Sequence, residues 1–87
     1  MRIVAVAVQT NFGLVCIGRA GSDRHDDVLR GMRKVGVDTV THGFWQGFVT
    51  DEGHYVNRVQ AYAIAEKAGQ IIKDIGCYQE LYSEHLW

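Results

Sequence analysis

Several features are scarce in this sequence of 87 residues. It contains no proline and only two cysteines, Cys16 and Cys77, which lie far apart and lack CxxC spacing. This spacing argues against a zinc knuckle and against a disulfide framework, so we expect two reduced thiols. Because no proline-rich linker, low-complexity stretch or internal repeat divides the chain, residues 1–87 are predicted to form a single domain.

The sequence also lacks a large excess of positive or negative charge. The formal net charge is −1, which leaves no basic excess to bind long nucleic acid and no polybasic segment to bind a membrane surface. The opening run IVAVAV is too short for a membrane helix and lacks the small-residue cleavage site of a signal peptide. We therefore expect an intracellular protein, and we expect any bound anion to be small and held locally.

Hydrophobic residues, in contrast, are plentiful for so short a chain. They make up 47% of the sequence, whereas a chain of this size buries only about 60% of the surface that it exposes when unfolded. The last residues, LYSEHLW, include Leu81, Leu86 and Trp87, which are too apolar to remain in water. A homo-oligomer is predicted, because a partner subunit would cover the remaining apolar surface.

Hydrophobic periodicity predicts two β-hairpins. Residues 2–9 and 12–18 are apolar and rich in β-branched side chains, and polar residues separate them, which is typical of a hairpin. Residues 37–50 return to this composition, and the sequence Asp-Glu-Gly at 51–53 predicts a turn into a second hairpin that continues at 55–56.

A helical period separates the hairpins and returns after the second one. In the first helix, Asp23 is the predicted N-cap, Gly36 the predicted exit, and the apolar stripe comprises Val28, Leu29, Met32 and Val35. In the second helix, Asn57 is the predicted N-cap with Gln60 completing a capping box, Gly69 is the exit, and the stripe comprises Ala61, Ile64, Ala65 and Ala68. These elements predict an oligomerising α+β fold, with a small antiparallel sheet built from two hairpins and two short helices.

Three segments carry a resemblance to a known family: RHDD, WQGFVTDEGHYVNRVQAYAIAEKAGQ and LYSEHLW. Together they cover most of the chain, and the sequence resembles the first family of Thoeris anti-defence proteins. Those proteins are phage-encoded sponges that bind cyclic ADP-ribose isomers made by bacterial immune enzymes. The resemblance implies sequestration without chemistry, in the cytoplasm of the infected bacterial host, by an α+β oligomer with pockets near subunit contacts.

The chain departs from the family pattern at four positions. Tyr55 stands where Phe is usual, Asn57 where Asp is usual, Gln60 where Glu is usual and His85 where Asp is usual. The changes at Asn57 and Gln60 remove carboxylates, which argues against a strict acidic role there and suits an anionic ligand.

The middle segment concentrates aromatic side chains. Phe48, beside the flexible Gly47, could stack on a purine, and such a contact contributes roughly 1–3 kcal/mol per base. Trp45 or Tyr55 could form a second stacking surface. The alternative is that Phe48 belongs to the core of the hairpin.

The same segment contains polar residues that suit a nucleotide. Gln46 and Asn57 each offer a donor and an acceptor, which is what recognition of a purine edge requires, although capping alone would explain Asn57. Arg58 begins a helix, where its charge opposes the helix dipole unless an anion is bound at that N-terminus. A solvated arginine is the alternative.

The glycine-rich stretch GRAGSDRH before the first helix is a second candidate anion site. Its backbone amides could cradle a phosphate with Arg24, and Arg19 in reserve, although a plain surface turn is the alternative. His25 beside two aspartates also suits a general base, so a small nucleotide hydrolase remains an alternative function. Sequence neighbours on a helix do not face each other, however, which argues against that reading.

The remaining candidates lie in the tail and among the histidines. Tyr82 and Ser83, with Glu84, could contact a ribose or a partner subunit, or simply form a packed tail. The four histidines lack metal-ligand spacing, so we predict no metal, no cofactor and no catalytic residue. A protein-interaction module of a phage is the other alternative. A small cyclic nucleotide is the predicted ligand, and its predicted binding residues are Arg24, His25, Gln46, Gly47, Phe48, Asn57, Arg58, Tyr82 and Ser83.

Overall fold

A computed structural model describes residues 1–10, 13–36, 44–73 and 79–87. Within these residues the chain forms four strands, two α-helices and one 3₁₀ turn. In chain order they are β1 (Ile3–Thr10), β2 (Val15–Ile17), α1 (His25–Lys34), β3 (Phe44–Thr50), β4 (Tyr55–Asn57), α2 (Arg58–Lys67) and the 3₁₀ turn Ser83–His85. The predicted α+β class with two hairpins and two short helices is confirmed.

The four strands form one antiparallel sheet in the order β2-β1-β3-β4. The β1–β2 and β3–β4 pairs are the two predicted hairpins, and the long β1–β3 pair joins them. Strand β2 is shorter than predicted, because Gly13, with a φ of 91°, lies in the turn that precedes it. The predicted β residues 37–43 lie outside the described part of the chain.

The core lies between one face of the sheet and the two helices. Val6, Val8 and Phe48 point to that face and are 0% exposed. They pack against apolar residues of both helices and of the tail: Val28, Leu29, Met32, Ala61, Ala65, Leu81 and Leu86. Ala61 and Ala65 are completely buried, and their small side chains let α2 lie close to the sheet.

Helix α1 begins one residue later than predicted. Arg24, and not Asp23, is its N-cap, and the Asp27 carboxylate accepts a hydrogen bond of 2.8 Å from the Arg24 amide. Asp23 instead accepts from the Arg19 amide at 2.9 Å. Val35 is also a correction, since it follows the last helical residue and is 81% exposed, so it does not extend the buried stripe.

Helix α2 begins with the predicted capping box. The Asn57 Oδ1 accepts from the Gln60 amide at 2.8 Å, and the Gln60 Oε1 accepts from the Asn57 amide at 3.0 Å. The helix ends before Gly69, which has a φ of 69° and provides the predicted exit. Ala68 is exposed, because it lies after the last helical residue, so the stripe is shorter than predicted.

The C-terminal segment 79–87 packs against the body of the fold, as its apolar side chains predict. Leu81 is 0% exposed and Leu86 is 9% exposed. The Leu81 amide donates to the Arg58 carbonyl at 2.9 Å, and the Trp87 indole Nε1 donates to the Asp23 carbonyl at 3.3 Å. The segment thereby connects the start of α2 to the start of α1.

Candidate ligand-binding site

A cleft of about 200 Å³ lies where the N-terminus of α1, strand β3, the start of α2 and the tail meet. We call it the arginine cleft. It is lined by Arg24, His25, Asp26, Gln46, Arg58, Tyr82, Ser83 and Glu84. Six of the nine predicted ligand-binding residues therefore come together, although they belong to four separate parts of the chain.

Arg58 lies at the centre of the cleft and is half-buried. Its guanidinium donates to the Leu81 carbonyl at 2.6 Å and to the Gln46 side-chain oxygen. The ring of Tyr82 lies 4.1 Å from its Cζ atom, which is a cation–π contact. Arg58 is therefore not the freely solvated arginine that the sequence left open.

Burial lowers the pKa of Arg58, whereas nearby Tyr82, Glu80 and Glu84 raise it. A guanidinium keeps its proton in proteins, so Arg58 stays positively charged. Two of its five N–H groups donate to other described residues. The guanidinium as a whole therefore places a partly desolvated positive charge in the cleft.

Arg24 lines the other side of the cleft and holds the tail. Its guanidinium donates to the Ser83 Oγ at 3.0 Å and to the Trp87 carbonyl. The Glu84 carboxylate lies 3.6 Å from the Arg24 Nη1 atom. Because these contacts join residues about 60 positions apart in the sequence, no local spacing could predict them.

His25 is the first residue of α1 and is 7% exposed. Its Nε2 lies 2.8 Å from the Gly47 carbonyl, which can only accept, so Nε2 carries the proton. Burial lowers the pKa of His25 below its ordinary 6.5 despite the bond to Gly47, and the charge of Arg58 lowers the pKa further. The imidazole is therefore neutral at neutral pH.

The glycine-rich loop before α1 does not form the predicted phosphate cradle. Five backbone amides of this loop already donate to oxygen atoms of the protein. They are the amides of Gly18, Arg19, Gly21, Ser22 and Asp23. The Arg19 side chain is 85% exposed and pairs with Asp23 at 3.3 Å, away from the arginine cleft. The surface-turn alternative is the correct one here.

Phe48 and Gly47 lie behind the cleft and do not line it. Phe48 is 0% exposed and packs edge-on against His25 with 5.0 Å between ring centroids, so no face is open to a base. Its predicted stacking role is wrong for this conformation, and the core alternative is correct. Gly47 leaves room for the strand beside it, since a Cβ there would lie 2.4 Å from the Val56 carbonyl oxygen.

Asn57 belongs to a different depression on the opposite face of the sheet, which we call the aromatic groove. This groove measures about 440 Å³ and is lined by Gln9, Thr10, Gly13, Trp45, Tyr55, Asn57 and Gln60. Trp45 is 57% exposed, and burial raises the pKa of Tyr55 above its ordinary 10.0. Asn57 and Gln46 are therefore not a pair that could read one purine edge.

Sequence reasoning gave too little weight to two carboxylates, Asp26 and Glu84, which line the cleft together with the arginines. The first-turn position of Asp26 was visible in the sequence, but the approach of Glu84 to Arg24 depends on how the tail folds back. Among the described residues, no group of three or more His, Cys, Asp or Glu side chains could hold a metal ion.

Comparison with known proteins gives one match. A family model described as the phage T4 y16D protein covers residues 2–87. The chain belongs to this family. It is thus a phage protein, and the family description states neither a ligand nor a reaction, so the resemblance to anti-defence sponges stays a prediction. No curated protein and no solved structure matches the chain.

Because membership of the phage T4 y16D family does not specify a cellular role, a role must be inferred from the chemistry of the site. No helix in the described ranges is long and apolar enough to cross a membrane. The cleft offers two guanidinium groups, one amide side chain and the hydroxyls of Tyr82 and Ser83, beside two carboxylates. Such a set of donors suits an oxygen-rich anion.

Proposed function

We propose that this phage protein is a counter-defence protein that binds and sequesters a small nucleotide of the cyclic ADP-ribose type without cleaving it. The observation that supports the proposal most directly is the arginine cleft, where Arg24 and Arg58 approach from opposite helices. A pyrophosphate in this cleft would accept charged hydrogen bonds from two planar guanidinium groups. We propose that the protein acts in the cytoplasm of the infected bacterial host.

The start of α1 adds backbone amide donors to the cleft. Helix α1 has ten residues, and its N-cap Arg24 has no side-chain acceptor to offer the first amides. No described residue accepts from the amides of His25 and Asp26, which leaves them pointing out of the helix end. Unpaired amides at a helix N-terminus favour an anion, which here would also contact the arginines.

The dimensions of the cleft suggest which part of the nucleotide it holds. Pockets that enclose a whole small ligand measure roughly 300–1,000 Å³, whereas the arginine cleft measures about 200 Å³. We infer that the cleft holds the phosphates and part of a ribose, with Ser83 and Tyr82 near the sugar. The base would then extend outside, where a second subunit of the predicted homo-oligomer could cover it.

The surroundings of His25 favour binding over hydrolysis. One imidazole nitrogen donates to the Gly47 carbonyl, and the ring packs against Phe48. Asp27 bonds to the Arg24 amide instead, and no described carboxylate hydrogen-bonds to His25. The oriented carboxylate–imidazole pair of a general base is therefore lacking in the described part of the chain.

Calorimetry with cyclic ADP-ribose isomers tests this proposal. We expect one isomer to bind, and we expect the protein to release it unchanged after heat denaturation, as chromatography would show. Recovery of a cleaved product would contradict sequestration and support the hydrolase. If no isomer binds, the proposal is wrong, and the exposed Trp45 in its uncharged groove favours the interaction module instead.

The homo-oligomer is tested separately by sedimentation. Exposed apolar side chains remain on the described surface at Ile17, Val59 and Ile72. We expect an oligomer at micromolar concentration, because these side chains leave a small chain with apolar surface that a partner subunit would cover. A monomer at that concentration would contradict this part of the proposal.

A further inference from the structure

The arginine cleft contains its own anion. Glu84 lines the cleft, and its Oε1 lies 3.6 Å from the Nη1 atom of Arg24. The side chain of Glu84 is 53% exposed and that of Arg24 is 40% exposed, so the pair borders solvent. A contact of this kind is weak, since exposed ion pairs contribute little to stability.

We propose that Glu84 competes with the phosphate of the ligand for Arg24 and thereby sets the affinity of the cleft for anions. This inference rests on the proposed function, because it concerns the same cleft. It identifies a carboxylate that opposes binding, in addition to the residues that favour binding.

The backbone of the tail determines where this carboxylate lies. Glu84 is the middle residue of the 3₁₀ turn Ser83–His85, and both neighbours are buried, Ser83 at 2% and His85 at 3% exposed. The Ser83 Oγ accepts from Arg24, and the His85 Nδ1 accepts from the Tyr82 amide at 3.0 Å. The turn is thus anchored on both sides and holds the Glu84 carboxylate beside Arg24, where its Oε2 also accepts from the Ser83 Oγ at 3.5 Å.

The charges of the cleft explain the expected effect. Arg24 and Arg58 are balanced by Asp26 and Glu84, while His25 is neutral, so the formal charge of the lining is close to zero. A phosphate that approaches Arg24 must displace the Glu84 carboxylate or lie beside it. Displacement breaks the Glu84–Arg24 ion pair, and proximity brings two negative charges together. Both make binding of the phosphate weaker.

Removal of this one charge should therefore strengthen binding. Glu84→Gln keeps the shape of the side chain but removes its charge, and its partial exposure predicts a folded variant. We expect it to bind inorganic pyrophosphate and a cyclic ADP-ribose isomer about two- to fivefold more tightly than the unchanged protein, with a steeper salt dependence. The matched control is Glu66→Gln, which removes the same charge from the exposed surface of α2, outside the cleft.

The test is calorimetry of the full chain and both variants with the two probes, alongside thermal melting. Tighter binding by Glu84→Gln alone supports the inference, and equal binding by all three proteins overturns it. Weaker binding of the nucleotide by Glu84→Gln also overturns it, because the carboxylate would then hold a ribose hydroxyl.

The two probes separate this inference from the proposed function. If no nucleotide binds but Glu84→Gln gains affinity for pyrophosphate, the proposed function fails and the inference stands. If the nucleotide binds and Glu84→Gln changes nothing, the proposed function stands and the inference fails. If none of the three proteins binds either probe, both are wrong.

Discussion

The arginine cleft and the aromatic groove begin at neighbouring residues and yet differ in almost every physical property. Gln46 and Arg58 line the cleft, while Trp45 and Asn57, each one residue earlier in the chain, line the groove. The cleft contains two guanidinium groups and two carboxylates, and the groove is lined by no charged side chain of a described residue. Strand alternation separates Trp45 from Gln46, because successive side chains point to opposite faces of the sheet, and Arg58 differs from Asn57 because the chain passes there from β4 into α2.

Of these two depressions, charged side chains of described residues line only the one on the face of the sheet that the helices and the tail cover. The helices and the tail cover the face that carries Gln46, and there the tail offers carbonyl and hydroxyl groups that accept from Arg24 and Arg58. A half-buried guanidinium needs such acceptors, since a buried donor without a partner is costly. The opposite face of the hairpin keeps a large aromatic ring in water, with Trp45 57% exposed.

The largest expected effect concerns two aromatic residues of β3 that point to opposite faces. Phe48→Ala should destabilise the protein by about 3–5 kcal/mol, because Phe48 is completely buried. Trp45→Ala should cost no more than about 1 kcal/mol, since most of that side chain is in water. Urea unfolding measures both, and Phe48→Leu should fall between them. Equal losses for Phe48→Ala and Trp45→Ala would contradict this division of the strand.

The second prediction concerns the charge in the cleft. Arg58→Ala should lower the affinity for a cyclic ADP-ribose isomer at least about tenfold and weaken its salt dependence, because a charged hydrogen bond contributes about 1.5–3 kcal/mol. The control is Arg33→Ala, which removes an exposed arginine of α1 outside the cleft. Calorimetry measures both variants. Equally small effects would mean that the phosphate binds elsewhere than in the arginine cleft.

The third prediction separates Asn57 from its neighbour Arg58. Asn57→Ala removes the side-chain acceptor of the Gln60 amide, so it should destabilise the protein by about 1 kcal/mol. Nucleotide affinity should stay unchanged, because Asn57 lines the groove and not the cleft. Thermal melting and calorimetry report the two properties independently. A large loss of affinity at unchanged stability would give Asn57 the ligand contact that the sequence suggested.

The smallest expected effect is on the pH dependence of stability. Burial lowers the pKa of folded His25 below 6.5, its ordinary value. Between the lowered pKa of folded His25 and the ordinary pKa of the unfolded chain, the unfolded chain binds more protons. The contribution of His25 to stability is therefore fully present above about pH 6.5 and is lost as the pH falls. His25→Gln should therefore lose less stability between about pH 7.5 and pH 5.5 than the unchanged protein does. Identical slopes in urea unfolding at these pH values would show that His25 does not titrate in this way.

Elements with a local signal were predicted well. The capping box of Asn57 and Gln60, the turn at Gly53 and the exit at Gly69 involve residues within four positions of one another, so their hydrogen bonds and backbone angles follow from local chemistry. Asp23 was misassigned because Asp27, three residues after Arg24, offers a competing acceptor for the start of α1. The prediction that Val35 ends the apolar stripe was wrong, because the helix ends one residue earlier, at Lys34.

The candidate site was predicted only in part, for a physical reason. The residue types were recognisable, since arginine, amide and aromatic side chains near helix starts are the chemistry of nucleotide recognition. Their grouping was not, because Phe48 had core and ligand alternatives that only burial distinguishes. The glycine-rich loop was likewise undecided until its amides were seen to donate to the protein.

The sequence by itself determined the α+β class, the two hairpins, the two helices and which side chains alternate along each strand. These properties depend on hydrophobic period, turn residues and caps, which act over a few positions. Only the tertiary structure decided which face of β3 the helices cover, and hence that Gln46 joins Arg58 while Trp45 stays in the groove. It also placed Glu84 against Arg24, since the free energy that folds the tail across α1 comes from Leu81 and Leu86 in a core shared by distant segments.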